Sequence, residues 1–511
     1  MLRYLIPSGL LLGGLAVASA SAQCLEKQKL VPANSAGDDR FGYAMAVDGD
    51  VAVIGAYEDD TAGGSDAGSA YVYRYNGTQW VEDQQLIPSN GLAGDRFGVS
   101  VAIHGDVIVV GAYQDDTSAG GEAGSAYVFR FNGAQWVEED QLAASDGAAD
   151  DEFGRSVAVF GDYIAVGAHL DNLTGANDAG SVYIYKYSGA ILLWEEQQKL
   201  TASDFAASDG FGYAVALLDD TLLAVGAPND NTGAGADTGS VYLFRRTATW
   251  GETQKLTASD AAASDHLGIS LALDGDLLVA GAYTDDHGAT DQGAAYVFRD
   301  NGTQYVEEKK LIAADAAASD DFGRSVSVLG NLILVGAELD DEVSNDCGSA
   351  YLFRYVGANC GWVQDIKKVA SDRATSDHLG IAVAITAHGA LAGAYLDNGI
   401  GSDSGSVYVF STAELELDIN PTVVSAGQTI TIETGCGNPG ESVMLVATNI
   451  NGTPTFAILL IRKFEADYGW GLSVAVPPGF AGLTVTFQTF KQSDPCRGKS
   501  LPSNPVTVVF Q

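Results

Sequence analysis

Apolar and polar positions along most of this chain alternate with a period of two, in short runs, and the runs themselves recur. Residues 97–142 are representative. Phe97, Val99 and Val101 alternate with Gly98, Ser100 and Ala102; the runs Val107–Tyr113, Ser125–Phe131 and Gln135–Leu142 follow, rich in Val, Ile, Tyr and Phe. Alternation over four to eight residues reads as a half-buried strand, and a short apolar run between turn residues as a buried one. Gly105-Asp106 and Asn132-Gly133 read as two-residue hairpin turns. The stretch predicts four antiparallel strands, and no helical period appears anywhere.

The same unit occurs seven times. Phe-Gly or Leu-Gly opens each copy, at Phe41, Phe97, Phe153, Phe211, Leu267, Phe322 and Leu379, with spacings of 56, 56, 58, 56, 55 and 57 residues. Gly-Ala follows 14 or so residues later, and Gly-Ser/Ala-Ala/Val-Tyr a dozen after that. Four strands every ~56 residues indicate propeller blades. In the first strand one face is bulky and the other small, as crowding towards a propeller axis demands. The fourth strand ends in Gln-Gln-Leu or a variant in six copies (84–86, 140–142, 198–200, 254–256, 309–311, 367–369), and the last unit stops at Phe410 without one. The missing copy is Glu26-Lys27-Gln28-Lys29-Leu30. The N-terminal strand is therefore expected to complete the last blade and remove an exposed edge. One aromatic opens most fourth strands (Trp80, Trp136, Trp194, Trp250, Tyr305, Trp362); its fixed position favours packing over a sugar-binding row.

The order Phe-Gly … Gly-Ala-Tyr/Pro, with Gly226-Ala227-Pro228 as its literal form, resembles the FG-GAP repeat, the unit of the integrin α-subunit propeller and of many secreted bacterial proteins. The resemblance covers about residues 25–410 and is nearest the bacterial subtype. It implies an all-β, seven-bladed β-propeller and extracellular binding or adhesion; it names no ligand. There is one departure. Integrin-type repeats often carry a D-x-D-x-D-G calcium loop between the first two strands. Here that connection is Asp48-Gly49-Asp50, His104-Gly105-Asp106 or Gly330-Asn331, too short to wrap an ion that wants six to eight oxygens.

Charge adds to this picture. Sixty-six acidic against 26 basic residues give −40, a field that repels phosphate backbones and excludes nucleic acid as a partner. Arg3, the apolar run Leu10–Val17 and Ala20-Ser21-Ala22 read as a secretory signal peptide over 1–22, cleaved between Ala22 and Gln23. Cys24 invites a lipoprotein alternative, but Gln23 stands where a lipobox wants a small residue. No later stretch is long and apolar enough to span a bilayer. The chain is expected to be secreted, periplasmic or surface-associated, and monomeric.

Each unit also carries three acidic positions in the loops that join strand two to three and strand four to the next unit, which share one side of the disc. The first lies four residues after the Gly of Gly-Ala: Asp59, Asp115, Asp171, Asp230, Asp285, Asp340, Asp397. The second lies two before the Gly of Gly-Ser/Ala: Asp66, Glu122, Asp178, Asp237, Asp291, Asp346, Asp403. The third lies two before Phe/Leu-Gly: Asp39, Asp95, Asp151, Asp209, Asp265, Asp320, Asp377. Three readings stand. Asp accepts backbone N–H groups in turns; the first two positions, with Asp60, Asp116, Asn172, Asn231, Asp286 and Asp341 beside them and loop carbonyls, clamp a hard cation such as Ca²⁺; or a basic ligand docks on the face.

Enzyme signatures are sparse. The six histidines look scattered, and no G-x-S-x-G, H-E-x-x-H or P-loop occurs. The reading is a non-enzymatic binding or adhesion protein that recognises an extracellular protein or glycan on a propeller face. The alternative is a secreted hydrolase of polysaccharide or phosphoester. They differ in one observable: an enzyme should hold, in one cleft, polar residues that the repeat does not share. After Phe410, strands over 428–433, 442–449, 455–461, 471–476, 483–490 and 506–510 suggest a small immunoglobulin-like β-sandwich over 412–511, with a Cys436–Cys496 disulfide. A Cys347–Cys360 bridge is disfavoured, because an extended strand separates the two.

Overall fold

The computed structural model describes residues 26–341 and 345–412 and, beyond these, strand backbones between 417 and 510. The signal peptide, the cleavage point Ala22/Gln23, Cys24, Cys436 and Cys496 lie outside the described residues. Residues 26–412 form seven four-stranded antiparallel sheets, a seven-bladed propeller. In the second blade the strands are Phe97–His104, Val107–Ala112, Ser125–Phe131 and Trp136–Leu142. The third turn is longer than its Asn-Gly suggests. It runs Asn132–Gln135, where the Asn132 side chain accepts from the N–H groups of Ala134 and Gln135 at 3.0 Å each. The last blade takes Glu26–Leu30 as its outer strand, antiparallel to Ser406–Phe410, with Lys29 opposite Tyr408 and Leu30 opposite Val407.

The signature glycines sit where neighbouring blades touch. A Cβ on Gly111 would stand 1.9 Å from the carbonyl oxygen of Gly154 in the next blade, and Gly154 itself has φ +95°. A side chain at either position would push two sheets apart, and at the second it would also strain the backbone. The same contact closes the ring, where a Cβ on Gly393 would meet Gly42 oxygen at 2.0 Å.

The core lies between blades. Val53, Val72 and Leu86 of the first blade pack with Phe97, Tyr127 and Trp136 of the second, and Leu30, Leu391 and Val407 of the last blade pack with Tyr71 and Trp80 of the first. Phe97 is fully buried, 5.4 Å edge-on from Tyr127. The fourth-strand aromatics are buried in these layers, as packing residues. Side-chain amides stitch the outer strands together: Gln84 donates to the Trp136 carbonyl and accepts from its N–H, both at 2.8 Å.

Strands beyond residue 417 form a separate unit. They fall in two sheets: Leu417–Asn420, Thr429–Thr434 and Trp470–Ala475 in one; Val423–Val424, Val506–Phe510, Thr484–Lys491, Ser442–Ile450 and Ala457–Lys463 in the other. Cys347 is a buried free thiol before the strand Ser349–Tyr355, and Cys360 lies in the turn after it. Among the described residues no helix is long and apolar enough to cross a membrane.

Candidate functional site

The three acidic positions have separate local duties. The first is buried, 3–7 % exposed in every blade. In the fifth blade Asp285 accepts from Tyr296 Oη at 2.5 Å and pairs with Lys310 at 2.8 Å; Lys310 also reaches Asp260, in the loop arriving from the fourth blade, at 2.8 Å. The same lysine bridges Asp171, Asp230, Asp340 and Asp397, through Lys199, Lys255, Lys367 and Lys29. In the first two blades Gln85 and Gln141 stand in for lysine, 3.0 Å from Asp59 and Asp115. There the linker residue is Asn34 or Asn90 instead of Asp. Cation and anion are thus exchanged together for a neutral pair.

The second position, Asp66, Glu122, Asp178, Asp237, Asp291, Asp346 and Asp403, is left-handed, with φ between 50° and 54°, a region that tolerates Asp. Its N–H donates to the residue beside the first position: Asp60, Asp116, Asp286 and Asp341 accept at 2.7–3.0 Å. Among the described residues no three His, Cys, Asp or Glu side chains are gathered for a metal ion. Melting curves in Ca²⁺, Mg²⁺ and NaCl at matched ionic strength are expected to shift equally, by screening. A Ca²⁺-specific gain lost in Asp285→Ala with Asp291→Ala would instead place an ion there.

The third position is buried and accepts one backbone N–H three residues upstream, as Asp95 does from Leu92 at 2.6 Å. Burial raises all seven (Asp39, Asp95, Asp151, Asp209, Asp265, Asp320, Asp377) to about 6. A carboxyl whose folded pKa exceeds its unfolded value stabilises fully below the unfolded value, near 4, and loses that contribution as pH rises through about 6. The propeller should therefore melt higher at pH 5 than at pH 7.5. Asp95→Asn, which keeps the acceptor and drops the charge, should raise the midpoint at pH 7.5 and leave it unchanged at pH 4.5. A profile flat or rising over that interval would contradict this.

What the repeat does not share lies on the axis, at the same loop-bearing end. The residue after Phe/Leu-Gly reads Tyr43, Val99, Arg155, Tyr213, Ile269, Arg324 and Ile381, and these line a cavity of about 240 Å³. Each is placed there because the first strand runs innermost and the glycine before it bulges the chain towards the axis. Arg155 Nη2 donates to Tyr213 Oη at 2.7 Å, with the guanidinium 4.4 Å from that ring's centre. Burial pushes the Tyr213 phenol up, but Arg155 and then Arg324 outweigh it and hold it below the ordinary tyrosine value. Arg324 is paired with Glu338 at 2.8 Å, and Glu338 lies 3.7 Å from His378. Farther out, Arg40 and Arg96 both hold Glu58. Arg155 differs: no carboxylate lies within ion-pair distance of it among the described residues. Burial lowers its neighbour His169 to about 3, with Arg155 adding to the effect, so the ring is neutral. Burial raises Glu152 to about 7 and Asp321 to about 7. Tyr43 packs against Tyr57 and Tyr395 on the side of the first and last blades, with ring centres 4.5 and 5.5 Å apart.

Serines in the lining are occupied: Ser100, Ser156, Ser270 and Ser325 each donate to a glycine carbonyl of the next blade at 2.7–2.8 Å. No motif marks these axial residues in the sequence. The signal was present, in the variable residue after each Phe/Leu-Gly, but attention to what recurs hides what departs. His266 and His378 are also less scattered than they look: both directly precede Leu-Gly, with φ of 57°.

Several solved structures align with this chain at low identity. A fungal alcohol oxidase of the AA5 family, in complex with copper, aligns with TM-score 0.42 and 12% identity over 90% of this chain and 95% of its own. A periplasmic gluconolactonase of Pseudomonas aeruginosa gives 0.43 and 12% over 65% and 86%. The β-propeller domain of the Trilobed protease from Pyrococcus furiosus gives 0.39 and 7% over 81% and 95%. No curated protein matches the sequence. The repeat itself decides the family. The FG-GAP repeat model matches seven times, over 25–73, 80–129, 136–185, 194–244, 250–298, 305–353 and 362–410. Each match begins at or beside the outer strand that precedes its blade, and the first begins with the strand that closes the ring. Seven in-phase matches on seven closed blades place this chain in the FG-GAP repeat family.

Proposed function

We propose that the protein is an extracellular, non-enzymatic binding protein whose ligand site is the axial mouth on the loop-bearing end of the propeller. The observation that carries this reading is Arg155: a guanidinium held in the cavity lining with a phenol but no carboxylate partner. Arg155 is half-buried in that lining, so its guanidinium is partly stripped of water without a counter-charge, and a ligand anion would supply one. The acidic loops give rigidity, since the carboxylates of the first and third positions already have internal partners.

The hydrolase alternative has one observation in its favour. The mouth holds polar residues that the repeat does not share, and Tyr213, with its lowered phenol, is the group there suited to be a nucleophile. Binding of the purified mature chain to glycan and protein arrays tests the proposal, with chromogenic glycosides and phosphoesters run in parallel. Array binding without turnover supports it. Turnover abolished in Tyr213→Phe would establish the alternative instead.

A further inference from the structure

Resting on that site assignment, we propose that Arg155, Arg324 and the Tyr213 hydroxyl form an oxyanion centre that takes the carboxylate of a terminal acidic sugar. The three side chains come from the third, sixth and fourth blades and meet at one cavity. Elsewhere in the ring the same position is Val, Ile or Tyr, so neither blade packing nor the repeat calls for an arginine. Arg324 keeps Glu338 on Nε. Arg155 engages only the Tyr213 hydroxyl, through one Nη, which leaves donors for a planar, bidentate oxyanion.

Ligand charge follows from the surroundings. Glu58, Glu152, Asp321 and Glu338 stand about the same mouth, on a chain of net charge −40. Arg155 is the guanidinium of the lining without an ion-pair partner, which matches a monoanion; a phosphate dianion would bring a second negative charge to a mouth where Glu58 and Glu338 already stand in ion pairs. Size and shape favour a sugar over an acidic peptide. A cavity of about 240 Å³ lies below the usual range for larger ligands and suits a single ring. Tyr43 lines it beside Tyr213, and the Tyr57 and Tyr395 rings pack against Tyr43 on that side of the mouth. The end of a glycan can enter such a mouth, and a polyanionic segment lying across the acidic face cannot do so without repulsion.

The test is titration calorimetry of the mature chain with four probes: a glucuronate-terminated disaccharide, its neutral hexose counterpart, its methyl ester, and a hexose phosphate. Arg155→Met and Tyr213→Phe are measured beside the parent. The acidic disaccharide should bind, and each of the other three probes should bind roughly tenfold to a hundredfold more weakly, the weight of a charge-assisted hydrogen bond to a buried group. Arg155→Met should lose binding by a similar factor while melting at the same temperature as the parent or higher, because it removes an unpaired charge. That midpoint separates lost recognition from lost folding. Equal affinity for acidic and neutral disaccharides, or unchanged binding in Arg155→Met, overturns the inference and leaves the axial binding reading standing. Preferential binding of the hexose phosphate, or an Arg155-dependent array signal on acidic peptides alone, overturns the sugar carboxylate. If neither these probes nor any array ligand binds, the binding reading falls with it.

Discussion

Deletion of residues 23–31 is expected to abolish cooperative unfolding and drive the chain into aggregates. The segment supplies far more than a terminal strand. Its backbone pairs with Ser406–Phe410, and Leu30, 2 % exposed, enters the core shared by the last and first blades. Gln28 clamps Trp80 of the first blade through both backbone groups, at 2.7 and 2.9 Å. Lys29 neutralises the buried Asp397 at 2.6 Å and Asp372 at 2.8 Å. Without the segment, the strand 406–410 offers a flat apolar edge to other chains, and Asp397 is left buried without its cation. Size-exclusion chromatography and a denaturant titration check this. A truncated chain as monomeric and as stable as the parent would show that the ring does not depend on its N-terminal strand.

Lys310→Met is expected to cost about 3–5 kcal/mol, because it leaves Asp285, at 3 % exposure, without its cation and removes the ion pair of Asp260, so that both carboxylates keep only the Tyr296 hydroxyl among side chains. The chain itself suggests the compensating change. The first two blades replace the lysine by Gln85 or Gln141 and the linker aspartate by Asn34 or Asn90, and these amides bond to each other at 3.2 Å. Lys310→Gln combined with Asp260→Asn rebuilds that amide pair in the fifth blade, without the hydroxyl that Ser69 or Ser125 donates to Asp59 or Asp115, since Ala294 stands there. The double variant should recover at least about half of the loss seen in Lys310→Gln alone, a coupling measurable by a double-mutant cycle in urea. Additive losses would mean that the two residues are independent, and that the correspondence among blades is incidental.

The acidic loops and the axial residues differ in how far a sequence can expose them. Blade number, strand order and the candidate closing segment are written in local patterns: a period of two, turn residues between runs, and a recurring Gln-Gln-Leu end. Those patterns follow from the pleat of a strand and from which face it must bury, so they can be read without knowing the fold. The signature glycines were legible as marks of the unit, and their reason was not. Gly111 and Gly154 are 43 positions apart, and only the ring brings them to the same point.

What the loop carboxylates touch was beyond the sequence for the same reason. Asp285 meets a lysine 25 residues on, and that lysine meets an aspartate 50 residues back. A pattern of acids at fixed intervals is equally compatible with ion binding and with internal pairing; only the arrival of Lys310 and Tyr296 at Asp285 distinguishes them. The axial site lies further still from local logic. Arg155, Tyr213 and Arg324 are separated by 58 and 111 residues, and each reads singly as an exception in an otherwise regular strand. By itself the sequence determined the strands, the repeat and the family. The tertiary structure decided which charges are neutralised and which one is left without a partner, because closing seven blades into a ring converges the same position of every repeat on one axis.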